Sequence, residues 1–391
     1  MRHWPEANQQ LGLGPAAGTM WDWDQRLGPA AGTMWDWDQP WNLSFAGCGF
    51  RSMYHVGAVS CILERVPRLV HGAARIGGAS SGCLVAAALV VGIPIERLCA
   101  AVLRAAQEAR GHALGVFHPS FSLLRLLRAE LLQQLPADAH LLASGRLCVS
   151  LTRLADGQNL LVSQFESREE LVQVLMCSCF FPVYCGFLPP SYRGVRYVDG
   201  ALSNNMPLFE QRNTITVAPF SGESDICPRE GAFNLLETHY GNVSIQVNTG
   251  NVHRVCTSFL PPRLETLADI CHNGHVDALR FLRERGLLGA ERPSSALMQT
   301  EPVCCDLRYR WLKPRGPESL PAGIQQILCR ACRDGRHGDS LASRLTLLPV
   351  KVCWCLLSIL WLPLQLILLL IRGTSCRQTR SSGRKDPKRC E

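Results

Sequence analysis

Apolar and polar positions along this chain change period several times, and most of the changes fall at glycines. Leu43 and Phe45 occupy alternate positions of a short run that closes on Gly47-Cys48-Gly49, which predicts a strand ending in a turn, and helical spacing follows. Residues 75–78 read as a second short strand. It ends in Gly78-Ala79-Ser80-Ser81-Gly82 and again runs into an apolar helix. After a break at Gly92-Ile93-Pro94 the spacing predicts a helix over 95–110, and His118-Pro119-Ser120 restarts one. Phe121, Leu124, Leu127, Leu131 and Leu135 then share one face, a stripe that predicts packing against a core. Residues 146–152 and 159–165 read as strands joined through Asp156-Gly157, a hairpin signal. A helix over 168–176, a short strand over 196–199 closing on Gly200-Ala201, and a strand over 214–220 complete the clear pattern. Strands alternating with helices in this way predict the α/β class.

Patterning weakens beyond residue 221. Residues 264–288 suggest two short helices paired as a hairpin, and the proline-rich, charged stretch after 289 reads as a linker. Residues 352–371 form a charge-free run of twenty, VCWCLLSILWLPLQLILLLI, bounded by Lys351 and Arg372. That length suits a membrane span, while Pro363 and Gln365 suit a kinked or re-entrant segment in a lipid layer equally well. At the other end, residues 13–25 and 27–39 are the same thirteen letters, LGPAAGTMWDWDQ, separated by Arg26. So short a repeat buries nothing by itself. The predicted organisation is therefore a disordered segment over 1–40, a catalytic domain over 41–225, a helical extension over 226–288, a linker over 289–345, and an apolar anchor with a basic tail over 346–391.

Composition changes this picture in two places. The chain of 391 residues carries a net charge of +8, and seven Lys/Arg against Asp386 and Glu391 put +5 of it after residue 371. A local excess of this kind suits an anionic lipid surface, and taken alone it reads as a solvated tail. By charge alone it would suit nucleic acid as well, and no nucleic-acid partner is expected. The nineteen cysteines are scattered and odd in number, and residues 1–39 lack the basic start and apolar core of a secretory signal, which predicts a reduced, cytosolic setting. Cys329-x-x-Cys332 has no second pair at zinc spacing, so no metal site and no cofactor are expected.

The chemistry gathers on the second strand. Gly-x-Ser-x-Gly between a strand and a helix is a nucleophile elbow, in which glycines permit the tight turn that lifts a hydroxyl clear of the backbone. The register selects Ser80, flanked by Gly78 and Gly82, because Ser81 would need glycine at Ala79 and Cys83. Gly47, Cys48 and Gly49, one strand-helix unit upstream, are placed to aim amides at an oxyanion. A dinucleotide fingerprint fits the same turn poorly, since Ser52 stands where its third glycine belongs. No late histidine closes a strand-end motif of the kind a Ser–acid–His order requires. Asp199 ends a strand and is presented by Gly200 and Ala201, which points to a Ser80–Asp199 pair, with His55 in a structural position.

Gly47-Cys48-Gly49, Gly78-Ala79-Ser80-Ser81-Gly82 and Asp199-Gly200-Ala201 together resemble the patatin-like phospholipase family. The longer strings WNLSFAGCGF, SLTRLADGQN, RGVRYVDG and FSGESDICP are similar to its adiponutrin and adipose triglyceride lipase branch, over residues 41 to about 288. The resemblance implies a three-layer α/β/α sandwich with a C-terminal apolar lipid-droplet segment. It implies a Ser–Asp dyad with Ser80 as nucleophile, Asp199 as base and the amides of residues 47–49 as oxyanion hole. The implied substrate is triacylglycerol or a related acylglycerol or phospholipid, cleaved through an acyl-enzyme at lipid droplets or the cytoplasmic face of membranes, with a cytosolic pool and room for protein co-regulators. Two competing expectations are acyl transfer and a catalytically weak lipid-surface protein that binds or sequesters partners. Ser52, in place of the family's closing glycine, predicts a stiffer or displaced oxyanion loop.

Overall fold

The computed structural model describes residues 35–112, 115–209, 213–230, 236–288 and 318–335. The first part contains β1 (Asn42–Phe45), α1 (Ser52–Arg65), α2 (Arg68–His71), β2 (Arg75–Gly78), α3 (Ser81–Val91), α4 (Ile95–Gly111), α5 (Leu123–Gln134) and α6 (Ala139–Ala143). There follow β3 (Leu147–Arg153), β4 (Asn159–Val162), α7 (Arg168–Ser178), β5 (Ser191–Tyr192), β6 (Val195–Asp199), α8 (Ala201–Asn204) and β7 (Thr214–Val217). The last part holds β8 (Glu237–Tyr240), β9 (Val243–Gln246), α9 (Thr249–Phe259), α10 (Leu264–Glu284) and α11 (Ala322–Gly335). The fold is mixed α/β with a parallel-rich central sheet.

That sheet runs β5-β6-β3-β2-β1-β7, with β4 attached to β3. The β1–β2, β1–β7 and β2–β3 pairs are parallel, as strand–helix–strand crossovers require, and the pairs made by β4, β5 and β6 are antiparallel. The register on β3 matters most. Val149 pairs with Gly78 of β2 and with Val162 of β4, so those two strands lie on opposite edges. Leu151 and Thr152 pair with β4 and also with β6, so β6 shares the edge of β2. The two strands run toward each other along one edge of β3, and both stop near Ser150.

Behind the sheet, α1 is buried along most of its length and crosses α10 at very close range. A Cβ on Gly57 would stand 1.7 Å from the Cys271 carbonyl oxygen, and one on Gly274 would stand 2.0 Å from that of Tyr54. The Tyr54 hydroxyl donates to Asp277 at 2.6 Å across the same crossing. Residues 264–284 are thus one helix of 21 residues, where the sequence suggested a hairpin of two. Gly274 is a contact point within it, and α10 belongs to the main core.

Two further segments differ from expectation. Composition reads 289–345 as linker, yet α11 lies within it, and Leu320 just ahead of the helix is buried in the main core together with Ile324, Leu328, Cys329 and Cys332. The tail of the second repeat also packs. Trp35, Trp37 and Trp41 meet edge to face with centroids 5.4–6.3 Å apart, and the Arg68 guanidinium lies 4.6 Å from the Trp37 ring. Edge-to-face pairs contribute about 0.5–1.5 kcal/mol each beyond burial, which helps hold residues 35–41 ahead of β1. Among the described residues no helix is long and apolar enough to cross a membrane. The apolar run 352–371, the basic tail and residues 1–34 lie outside the described residues.

Gly57→Ala is expected to destabilise the chain by about 3 kcal/mol, because backbone on both helices must give way. Gly111→Ala, which meets nothing within 4 Å, should change stability by less than about 1 kcal/mol. Urea midpoints of the two variants check the contrast.

Candidate active site

Ser80 sits between β2 and α3 at φ 52° and ψ −131°, a backbone conformation that side chains seldom adopt. The strain persists because the neighbourhood fixes it. The Ser80 amide donates to the Ser178 hydroxyl at 2.9 Å, and that hydroxyl donates to the Ser150 carbonyl at 2.8 Å. Ser150 lies where β2 and β6 run out, so the gap in the edge of β3 is filled by this relay. Asp199 closes the gap from the other side. Its own amide donates to the Phe180 carbonyl at 2.8 Å, and its carbonyl accepts from the Thr152 hydroxyl at 2.8 Å.

The Asp199 carboxylate is 2% exposed. Burial pushes its pKa up to about 7, while hydrogen bonds from the Ser80 hydroxyl and the Ala201 amide favour the ionised form and limit the rise. The Ala201 bond measures 2.9 Å, which gives Gly200-Ala201 a concrete task in holding the carboxylate. A carboxyl group titrating near neutrality on a serine hydroxyl has the proton affinity a general base requires. Among the described residues, no histidine lines the cavity they share. His55 lies beneath the Gly47–Gly49 turn, fully buried, with Nε2 2.8 Å from the Ala46 carbonyl and 3.3 Å from Cys48 Sγ. Burial lowers its pKa to about 4, so it is neutral and supports the turn.

The turn itself is tightly set. A Cβ on Gly47 would come within 2.9 Å of Ser80 Cβ, and one on Gly49 within 2.1 Å of the Ser258 carbonyl, at a φ of +53°. Two of the three amides expected to receive an oxyanion are occupied. The Gly47 amide donates to Asn205 Oδ1 at 2.7 Å and the Cys48 amide to the Ser81 hydroxyl at 3.0 Å. Among the described residues, the amides of Gly49 and of Ser81 at the start of α3 meet no protein acceptor, and both residues line the cavity. Ser52 opens α1 at φ −54° and ψ −17°, an ordinary helical conformation, so no glycine is needed there. Gly78 and Gly82 pass close to the Phe45 carbonyl, which seats the elbow on β1.

Beyond Ser80 and Asp199 opens a cavity of about 750 Å³. Its walls are overwhelmingly apolar, with Leu84 from α3, Leu98 and Val102 from α4, Leu127 and Leu131 from α5, and Phe259 from α9. The stripe on α5 faces the core along its length, buried at its two ends and partly covered between them. Phe121 and Leu135 are buried, while no residue of α5 itself is, and its leucines roof the cavity. At the far rim Arg104 grips Glu130 with two contacts of 2.8 Å. Asn205, Ser178 and Ser150 carry no sequence motif, because Asn205 and Ser178 act through side-chain bonds to distant backbone and Ser150 through its carbonyl oxygen. The Asn-Asn pair that closes DGALSNN was the one local sign. Among the described residues no cluster of His, Cys, Asp or Glu could hold a metal ion.

A serine hydroxyl against a buried carboxylate, with room for hydrocarbon chains beyond it, is chemically suited to attack on a lipid ester. Comparison with known proteins makes the assignment specific. Residues 43–210 match the family model described as patatin-like phospholipase. Patatin-like phospholipase domain-containing protein 2 of Rattus norvegicus is 44% identical over 332 residues, 83% of this chain and 69% of that one. Patatin-like phospholipase domain-containing protein 5 of Homo sapiens is 46% identical over 75% of this chain and 73% of its own. The human 1-acylglycerol-3-phosphate O-acyltransferase PNPLA3 is 46% identical over 65% of this chain and 53% of its own. The crystal structure of VipD from Legionella pneumophila aligns over 77% of this chain at 13% identity with a TM-score of 0.30, a likeness too slight to weigh. The chain belongs to the patatin-like phospholipase family.

Two outcomes are expected from this geometry. Because Asp199 is protonated more readily when folded, its contribution to stability is fully present below the unfolded carboxylate value and is lost as pH rises through about 7. Asp199→Asn should remove that loss, so melting temperatures of variant and wild type should diverge between pH 5 and 8, with the variant higher at pH 8. Asn205→Ala leaves the Gly47 amide without its acceptor, and should lower kcat about 10–100-fold with little change in KM, alongside a stability loss of about 1–3 kcal/mol.

Proposed function

We propose that this protein is a serine acyl hydrolase that cleaves triacylglycerol or related acylglycerol and phospholipid esters through a Ser80–Asp199 dyad, on the α/β/α sandwich its family resemblance implies. The observation that carries the reading is the strained Ser80, hydrogen-bonded to a buried carboxylate of pKa about 7 at the mouth of an apolar cavity. In this mechanism Ser80 Oγ forms a bond to the ester carbonyl carbon while its proton passes to Asp199. The free amides of Gly49 and Ser81 receive the oxyanion. Asp199 then returns the proton to the departing alcohol, and the same cycle with water releases the fatty acid. The apolar walls suit a long acyl chain and exclude water from the developing charge.

Lipid droplets or the cytoplasmic face of membranes are the proposed site of action, on the strength of the charge-free run 352–371 and the basic residues after it. A second reading is favoured by one relative, whose name describes acyl transfer to 1-acylglycerol-3-phosphate. The acyl-enzyme is common to both, and the acceptor, water or a lipid hydroxyl, separates them.

Labelling of the purified chain with a fluorophosphonate should modify Ser80 and no other serine. Ser80→Ala should lower ester turnover by about 10⁶ while Ser81→Ala costs far less, and Asp199→Asn should approach the loss at Ser80. Label on a different serine, or a folded Ser80→Ala protein that still turns over ester, contradicts the proposal. Adding lysophosphatidate to the assay reads the second activity, as phosphatidate formed at the expense of free fatty acid.

A further inference from the structure

The loop between α7 and β5 has two faces with opposite surroundings. Phe181, Pro182, Val183, Tyr184 and Cys185 line the cavity that holds Ser80 and Asp199. Past Gly186 the next two side chains point away from protein. Phe187 is 88% exposed and Leu188 74%, the two largest exposures of any large apolar side chain among the described residues.

Flexibility does not account for this, because the loop is pinned throughout. The Val183 amide donates to the Gly186 carbonyl at 2.9 Å and the Cys185 amide to the Phe181 carbonyl at 2.8 Å. The Tyr184 hydroxyl donates to the Phe259 carbonyl at 2.6 Å. Val183 is held at φ +68°, a region that a β-branched residue avoids unless its surroundings impose it. On the far side the Pro189 carbonyl accepts from Arg196 at 2.8 Å and the Pro190 carbonyl from the Tyr197 amide at 3.2 Å. Neither proline has an amide hydrogen to satisfy. Backbone polar groups on both flanks of the tip are thus paired or absent, while those of Phe187 and Leu188 themselves meet no protein partner among the described residues and stay at the polar headgroup level when the two side chains insert.

We infer that Phe187 and Leu188 form a lipid-insertion tip that seats the catalytic unit on an acylglycerol or phospholipid surface with the cavity beside it. The inference rests on the proposed action on lipid esters. A protein partner fits less well. Two side chains expose on the order of 300 Å², far below the roughly 1,000 Å² a specific protein interface buries, and a lipid surface sets no such minimum.

Hydrogen–deuterium exchange on the full chain, with and without a triolein emulsion stabilised by phosphatidylcholine, tests this directly. Slower exchange over 183–188 on the emulsion is the expected result. It reads the loop itself, so attachment through residues 352–371 cannot mask it. The double variant F187D/L188D should lose about 10-fold or more in emulsion turnover while hydrolysing a soluble short-chain ester at the wild-type rate. F187L/L188I should keep both activities, which separates loss of apolarity from loss of fold. Unchanged exchange over 183–188 while the chain floats with the emulsion, or equal emulsion turnover by F187D/L188D and wild type, overturns the inference. Protection of the loop in a chain that hydrolyses no ester sustains it while the proposed function fails.

Discussion

One edge of β3 carries two strands that approach from opposite ends, and everything chemical in this molecule follows from the space they leave. β2 arrives parallel and stops at Gly78, and β6 arrives antiparallel and stops at Asp199. A complete sheet edge would have satisfied the backbone of Ser150 with a neighbouring strand. Here the Ser178 and Ser80 pair fills that role, and the hydroxyl and the carboxylate face each other at the ends of the two strands. Proximity between residues 119 positions apart is thus secured by register alone. No loop has to close for the two groups to meet.

Holding them there sets fold against function. A carboxylate with 2% exposure is costly to ionise, and only two hydrogen bonds, from Ser80 and Ala201, oppose that cost. The site therefore needs a rigid surround that does not relax toward water. The α1–α10 crossing supplies it from behind, with helices close enough that glycine is the one residue that fits at Gly57 and Gly274. In front, Asn205 fastens the Gly47 turn and the β8–β9 hairpin presses on Asn205 through Gly241. Rigidity around Ser80 contrasts with the roof, where α5 buries none of its own residues and rests on partly covered leucines.

Legibility in the sequence followed the range of the interactions. β1, β2, the elbow and the Asp199 turn were readable because glycine spacing and strand-end position are local signals. β8 and β9 were missed, since Glu237, Thr238 and His239 are exposed and give no alternating apolar face. α10 reads as two short helices in the sequence, whereas in the fold Gly274 lies within one helix and against Tyr54, a contact that no local signal shows. α11 reads as linker because the prolines and charges around it outweigh its stripe of Ile324, Leu328 and Cys332. Ser178, Ser150 and Asn205 carry no motif. They reach partners 98, 28 and 158 positions away, and only a folded chain reveals such bonds.

The tryptophan cluster ahead of β1 has a bearing on how this chain tolerates change. Thirteen letters occur twice in succession, and the copy adjoining β1 contributes Trp35 and Trp37 to the packing on Trp41. Gain or loss of one copy through replication slippage would leave the identical letters entering the first strand. The docking contacts regenerate from whichever copy comes last, so the gene can lengthen or shorten here in steps of fourteen codons, the thirteen letters with their separating arginine, without disturbing what β1 needs.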